Sequence, residues 1–211
     1  MLKIANKKNF VAAVIGLMVC TLAYSQELPK AKVIELTGQV RYKEPGDADW
    51  KAVQKEMQLS QGTQIYVGPD SDCQLALGKE QKSVTKIKQE TNVVLTSVGQ
   101  DVHLDIKSGE IFSRIKKIDQ APASKFRVAS PTAVAAVRGT AFSFTAEGIS
   151  DTVKTFESTV GLSPVDAPDK EVLVEEGHGA VMGANGQLEK QFDLPVEDMQ
   201  VASQVFIRAL S

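Results

Sequence analysis

Residues that catalyse reactions or bind metals are scarce in this sequence. Its 211 residues include only two histidines, His103 and His178, and these lie far apart along the chain. No Gly-x-Ser-x-Gly elbow, phosphate-binding glycine loop or Cys/His pair is present. We therefore predict that the protein is not an enzyme and has no catalytic residue, cofactor or metal. Carboxylates brought together by the fold are the one catalytic arrangement that the sequence leaves open.

Long hydrophobic runs are also absent, except near the N-terminus. An apolar run covers residues 10–22, and the small residues of a cleavage signal follow at positions 23–25. The positive charges before the run are those of Lys3, Lys7 and Lys8. This order predicts a signal peptide over residues 1–25, which is removed on export to give a periplasmic or secreted protein. The run is short for a membrane span, so none is predicted in the mature protein.

Two alternatives to this cleavage stay open. The first is lipoprotein processing at Cys20, because the four residues that end there have the outline of a lipobox. Val19 argues against it, since a smaller residue usually precedes the lipidated cysteine. The second alternative is an uncleaved N-terminal anchor, which we favour least.

An excess of positive charge is missing from the mature chain. The full sequence has 24 Lys and Arg against 26 Asp and Glu, and the first 25 residues hold three of the lysines and no acid. The formal net charge therefore falls from −2 to −5 when the signal peptide is removed. A chain of this charge has no basic surface for phosphates, so no nucleic-acid partner is predicted.

Cysteine is too rare for an internal disulfide, because only Cys73 follows the signal peptide. Cys73 alternates with Leu75 and Leu77, and this spacing predicts that all three side chains point into a core. We interpret Cys73 as an unreactive core thiol. The alternative is a disulfide to another chain.

Helical periodicity is absent before residue 190, and short β-type runs take its place. In one of them Val102, Leu104 and Ile106 alternate with polar residues, as in a half-buried strand. Glycine and polar turns such as Ser108-Gly109 separate the runs. We predict an all-β domain over residues 26–190, made of many short strands in an irregular β-solenoid or sandwich-like body.

The last residues, 191–211, have a different pattern and are predicted to form a C-terminal helical tail. Pro195 suits the first position of a helix. Apolar residues then recur at helical spacing, at Val196, Met199, Ala202, Phe206 and Ala209. We expect one amphipathic helix whose apolar stripe packs on the β body. Docking of that stripe on a partner is the alternative.

The segment SPTAVAAVRGTAFSF, residues 130–144, places an arginine inside an apolar run. Pro131 is expected at a strand start, an edge or a corner, because it cannot donate to a β ladder. The run that ends at Val137 is expected to be buried on both faces, and Gly139 to form a corner. The guanidinium of Arg138 must reach water, a carboxylate or carbonyls. We predict that it links the carbonyls of neighbouring turns, and the alternative is an anion-binding role.

Residues 128–142 resemble the signature of the FecR domain, V-x-T-P-x-A-x-x-x-V-R-G-T-x-F. Ser130 stands in place of the usual threonine, and Ala141 in place of a frequent glutamate. The residues of this segment to which we assign a mainly structural role are Pro131, Thr132, Ala133, Val137, Arg138, Gly139, Thr140 and Phe142. A weaker similarity extends over residues 33–188.

This resemblance implies an extracytoplasmic, non-enzymatic all-β module. In iron-uptake regulators of the family, such a domain senses an outer-membrane receptor, and a cytoplasmic segment controls a sigma factor. Only nine residues precede the apolar run here, and little sequence follows residue 190. We therefore expect a stand-alone secreted protein with a FecR domain.

Our leading hypothesis is a binding or scaffold module of the cell envelope that contacts another envelope protein. Neither the identity of this protein nor the oligomeric state follows from the sequence. The alternative is a module that binds carbohydrate or peptidoglycan. Its candidate residues are Trp50, Tyr42 and Tyr66, because exposed aromatic rings can stack on sugars.

Overall fold

The computed structural model describes residues 29–116, 125–137 and 139–208. These residues form seventeen β-strands, one α-helix and a single 3-10 turn at Lys79–Gln81. In chain order the strands β1 to β17 are Ala31–Thr37, Val40–Lys43, Lys51–Ala52, Gln58–Leu59, Gln64–Val67, Asp72–Leu77, Ser83–Ile87, Thr91–Val98, Val102–Arg114, Phe126–Ala129, Ala133–Val137, Ala141–Ala146, Ser150–Glu157, Thr159–Pro164, Val172–Glu175, His178–Gly183 and Leu188–Asp193, and the helix α1 is Val196–Arg208.

The strands form two layers that share the long strand β9. The first layer has the order β4-β1-β6-β7-β9-β12-β13-β16-β17, and the second has the order β3-β2-β5-β8-β9-β10-β11-β14-β15. Only β9 and β10 pair in parallel among these strands. The result is a mixed sheet that is not closed. The prediction of an all-β body is confirmed, and the two layers correspond to the sandwich-like form of that prediction.

The core lies between the two layers. The rings of Phe126 in the second layer and Phe142 in the first meet edge to face, with their centroids 6.3 Å apart. The alternation predicted for Val102, Leu104 and Ile106 is confirmed, since all three side chains are buried. Cys73 is also fully buried, as predicted.

The prediction of a turn at Ser108-Gly109 was wrong, because both residues lie inside strand β9. The strand runs through both residues, and its two halves pair with different neighbours. Gly109 has a φ of +97°, and a Cβ there would lie 2.3 Å from Oγ1 of Thr91. Only glycine combines this backbone angle with so close a neighbour. Gly109 therefore lets one strand pass from the second layer to the first.

Helix α1 packs on the outer face of the first layer, as predicted. Its buried residues Ala202 and Phe206 join a small apolar cluster with Phe112, Ala141 and Phe156. Asp198 adds an ion pair of 3.0 Å to Lys154 of β13.

The apolar stripe of this helix is shorter than predicted. Val196 is 68% exposed. It lies six positions before Ala202, which is about 120° around the helix from that residue. The helix begins one residue after Pro195, and Ala209 lies outside the described residues.

The β body also extends past residue 190, the predicted boundary. Strand β17 continues to Asp193 and pairs with β16. Its sequence, LEKQFD, gives no inward alternation because almost all of its side chains are exposed. This lack of a buried face explains why the sequence did not predict the strand.

Candidate functional site

The segment around Pro131 forms a tight hairpin between β10 and β11. The amide of Ser130 donates to the carbonyl of Ala133 at 2.9 Å, and Pro131 is exposed in the turn. Pro131 thus lies in a turn just before β11, in agreement with the expectation of a strand start, an edge or a corner. Burial on both faces of β11 was a wrong expectation, because Val134 and Ala136 are only half-buried. These two side chains lie on the outer face of the second layer.

The same turn is hydrogen-bonded to Asp151 in β13 of the other layer. Ser130 Oγ donates to Asp151 Oδ2 at 2.5 Å, and Thr132 Oγ1 donates to the same oxygen. Ser130 Oγ in turn accepts from the amides of Thr132 and Ala133, each at 3.0 Å. The side chains and amides of the turn thus hold a carboxylate between the layers.

Asp151 is 2% exposed, and no described residue forms an ion pair with it. Burial raises the pKa of its carboxyl, while the hydrogen bonds from Ser130, Thr132 and the amide of Ala133 act in the opposite direction. Asp151 was not predicted as a site residue. Its position two and four residues before Val153 and Thr155, which are both buried, is the signal that places it on the inward face.

The other described positions of the motif also have structural contacts. Phe142 is completely buried in the core. Thr140 is buried, and its hydroxyl donates to the carbonyl of Thr159 at 3.2 Å. Gly139 has a φ of +72°, which agrees with a corner. Arg138 lies outside the described residues, so its role as a link between turns stays a prediction.

A cavity of about 320 Å³ opens beside the turn of the motif. Pro131 and Thr132 line one part of its wall. Pro164 at the end of β14, three residues of the loop that follows it (Asp166, Ala167 and Lys170) and residues 184–187, which join β16 to β17, supply the remainder. Three loops that are distant in sequence therefore meet at this end of the molecule.

The three aromatic residues predicted to bind sugar do not share one surface. Trp50 is 39% exposed, and its ring meets that of Tyr66 edge to face with the centroids 6.4 Å apart. Close to Tyr66, Gln64 Nε2 donates to Asn92 Oδ1 at 2.8 Å. Tyr42 instead packs partly buried against the core. The outer face of the second layer thus carries Trp50 and Tyr66 only.

The two histidines lie in separate places and have different partners. His103 Nε2 is 3.4 Å from Asp105 Oδ1 and makes no hydrogen bond. His178 Nδ1 donates to the carbonyl of Glu176 at 2.9 Å. Within residues 29–116, 125–137 and 139–208, no group of three or more His, Cys, Asp or Glu could hold a metal ion. No helix in the described part of the chain is long and apolar enough to cross a membrane.

Strands β15 and β17 form the longer free edges of the two layers. In the described structure, β15 pairs only with β14 and β17 only with β16. The amide of Leu194 donates to Gly177 at 2.7 Å, just beyond β17. Because alternate residues of an antiparallel strand direct their amides to the same side, the N–H groups of Gln191 and Asp193 point to the free edge.

The comparisons with known proteins agree with this architecture. Residues 50–161, more than half of the chain, match the family described as FecR protein. The chain therefore belongs to the FecR family. No curated protein sequence shows significant similarity to it.

Among solved structures, the chain is similar to two crystal structures, at 1.65 and 2.50 Å resolution, of a "putative anti-sigma factor" from Parabacteroides distasonis ATCC 8503. Each match has a TM-score of 0.54 and 16% sequence identity. It covers 67% of this chain and 64% of the other, so this chain spans less than two thirds of that protein. At this identity the likeness shows the fold alone.

Proposed function

We propose that this chain is a non-enzymatic binding module of the cell envelope, and that it contacts another envelope protein through the free edge of β17. The observation that carries the proposal is the six-residue edge strand, whose outward amides have no partner in the described structure. A free edge of this kind can accept an extended segment of another protein as an additional strand.

Two further features support a protein partner. The exposed charges of β17, on Glu189, Lys190 and Asp193, make the edge unfavourable for self-pairing. In a two-fold symmetric antiparallel pair centred on Lys190 or Gln191, either two lysines or Glu189 and Asp193 would face each other. The fold is also that of a protein named as an anti-sigma factor, a name that refers to the binding of another protein.

The test uses proline as a probe of the edge amide. Gln191→Pro removes an N–H that points outward, which an edge strand tolerates. Gln191→Ala keeps this N–H and is the matched control. We expect a photo-cross-linker at Lys190 to capture a specific envelope protein in the Ala background and to lose it in the Pro background.

A cross-linker placed at the exposed Lys55, far from β17 in the strand order, controls for random collisions. Equal capture from Lys190 and Lys55 contradicts the proposal. Equal capture in the Pro and Ala backgrounds, with both variants folded, contradicts it as well.

Export to the periplasm or the exterior is part of the same proposal. It is supported by the signal-peptide pattern of residues 1–25, which lie outside the described part of the chain. Mass spectrometry of the mature protein tests it. An N-terminus at Gln26 is expected, whereas a lipid on Cys20 or an intact Met1 contradicts cleavage after Ser25.

Carbohydrate or peptidoglycan binding is the second candidate function. It is favoured by the exposed ring of Trp50 beside Tyr66, with the amide pair of Gln64 and Asn92 on the same face. Aromatic faces stack on sugar rings, and neighbouring amides can bind hydroxyl groups. Sedimentation with peptidoglycan should fall for Trp50→Ala and stay unchanged for Lys55→Ala, and equal sedimentation of both contradicts this candidate.

A further inference from the structure

The cavity beside the motif turn contains an unpaired acid and an unpaired base. Asp166 and Lys170 both line it, on the loop that follows β14. Neither side chain makes a hydrogen bond or an ion pair with the other or with a different described residue. Both residues are exposed, so each charged group can form charge-assisted hydrogen bonds with a ligand.

Other residues that line the cavity supply neutral polar groups. Thr132 donates its hydroxyl proton to Asp151, so its oxygen can only accept hydrogen bonds from a ligand. Asp151 itself is buried and does not line the cavity. Two further lining residues are hydrogen-bonded to each other, since the backbone N–H of Gln187 donates to Asn185 Oδ1 at 3.0 Å.

The charges in the cavity therefore match a ligand that carries one positive and one negative charge. A ligand ammonium group fits the acceptors of Asp166 and Thr132, and a ligand carboxylate fits the ammonium group of Lys170. Pro131 contributes an apolar surface to the same wall. A volume of about 320 Å³ is at the lower end of ligand sites, which suits a molecule of amino-acid or dipeptide size.

We propose that this cavity binds a small zwitterion, a free amino acid or a short peptide that carries both an ammonium group and a carboxylate. Asp166 binds the ammonium group and Lys170 binds the carboxylate. The site is distinct from the edge of β17, so it adds ligand binding to the proposed protein contact without depending on it.

The experiment follows the backbone amide signals of the folded chain by NMR during titration with defined probes. The zwitterionic probes are L-alanine and L-alanyl-L-alanine. N-acetyl-L-alanine offers only the carboxylate, L-alaninamide offers only the ammonium group, and N-acetylglucosamine offers neutral hydroxyl groups. We expect one of the zwitterions to shift the signals of Thr132, Asn185 and Gln187, and to bind at least about fivefold more tightly than each of the other three probes.

Two charge variants and one control assign the two roles. Asp166→Asn should weaken zwitterion binding about tenfold and leave the binding of N-acetyl-L-alanine unchanged. Lys170→Gln should also weaken zwitterion binding about tenfold, but it should leave the binding of L-alaninamide unchanged. The control is Asp169→Asn, which removes a nearby exposed charge that does not line the cavity. It should bind the zwitterion within about twofold of the unmodified chain.

Each contrary result overturns the proposal. These results are the absence of shifts at the cavity residues for both zwitterions, tighter binding of the neutral sugar, and equal effects of Asp166→Asn and Asp169→Asn. Equal capture in the Gln191→Pro and Gln191→Ala backgrounds, with zwitterion binding intact, would count against the proposed function alone. The two proposals can therefore fail separately.

Discussion

Ser130 Oγ and Asp151 Oδ2, 21 residues apart in sequence, are joined by a buried hydrogen bond of 2.5 Å. This bond connects the β10–β11 turn of the second layer to β13 of the first. The family motif thus contributes to the fold by joining the two layers, because its turn supplies the hydroxyl and amide groups that satisfy a buried carboxylate.

The stability of the protein should depend on pH through Asp151. Burial raises the pKa of this carboxyl above its ordinary value of 3.8. The stabilisation from its protonation is then fully present below the unfolded-state pKa and is lost as pH rises through the folded-state pKa. Asp151→Asn carries no titrating proton, so its unfolding free energy relative to that of the unmodified chain should increase as the pH rises from 4 through the folded-state pKa of Asp151.

Urea denaturation at several pH values measures this difference. Asp169→Asn is the control, because that side chain is exposed and its substitution should give a curve parallel to that of the unmodified chain. A pH-independent difference for Asp151→Asn would show that its carboxyl has the same pKa in both states.

The packing of helix α1 should depend on Phe206. This ring is 5% exposed and lies edge to face with Phe156 at 6.3 Å. Phe206→Ala should lower the unfolding free energy by about 3 kcal/mol, because it removes a buried ring and leaves a cavity. Val201→Ala, at a position 50% exposed on the same helix, should change it by less than about 0.5 kcal/mol. Urea denaturation measures both effects, and equal effects of the two substitutions would show that Phe206 is not packed against the β body.

The passage of β9 between the layers should require glycine at position 109. Gly109→Ala adds a Cβ that would lie 2.5 Å from the backbone of Thr91, so we expect a loss above about 3 kcal/mol or a failure to fold. Gly46 also has a positive φ, of +90°, but a Cβ there meets nothing within 4 Å. Gly46→Ala should therefore cost only about 1 kcal/mol. Thermal unfolding compares the two, and similar melting temperatures would contradict the close approach at Thr91.

The thiol of Cys73 should be unreactive in the folded protein. Burial, together with the nearby charge of Asp72, raises its pKa to about 12, so almost no thiolate exists at pH 8. Ellman's reagent should react at least about a hundredfold more slowly with the folded chain than with the chain in denaturant. Fast reaction in the folded state, or a disulfide-linked dimer after export, would contradict the buried position.

Much of the fold could be predicted from residue patterns. The alternation of Val102, Leu104 and Ile106 and the inward spacing of Cys73 depend only on the two-residue period of a strand. The crossing at Gly109 could not be predicted this way, because a turn and a kinked strand have the same glycine and polar residues. Strand β17 was also missed, since an exposed edge strand needs no alternation.

The candidate site was less accessible to sequence analysis. Asp151 is recognisable as an inward position once β13 is aligned on Val153, but its partners Ser130 and Thr132 lie in another strand pair. Asp166 and Lys170 look like ordinary charges of a surface loop. Their common cavity depends on the tertiary arrangement of three loops, which the local sequence does not encode.

A double-mutant cycle between Ser130 and Asp151 tests most directly whether the motif holds the two layers together. Unfolding free energies would be measured for Ser130→Ala, Asp151→Ala and the double variant, and the β17 cross-link would be recorded for each folded variant. We expect a coupling energy of at least about 1 kcal/mol, with the cross-link retained. Effects that add within about 0.3 kcal/mol, or loss of the cross-link in a Ser130→Ala protein of unchanged stability, would contradict it.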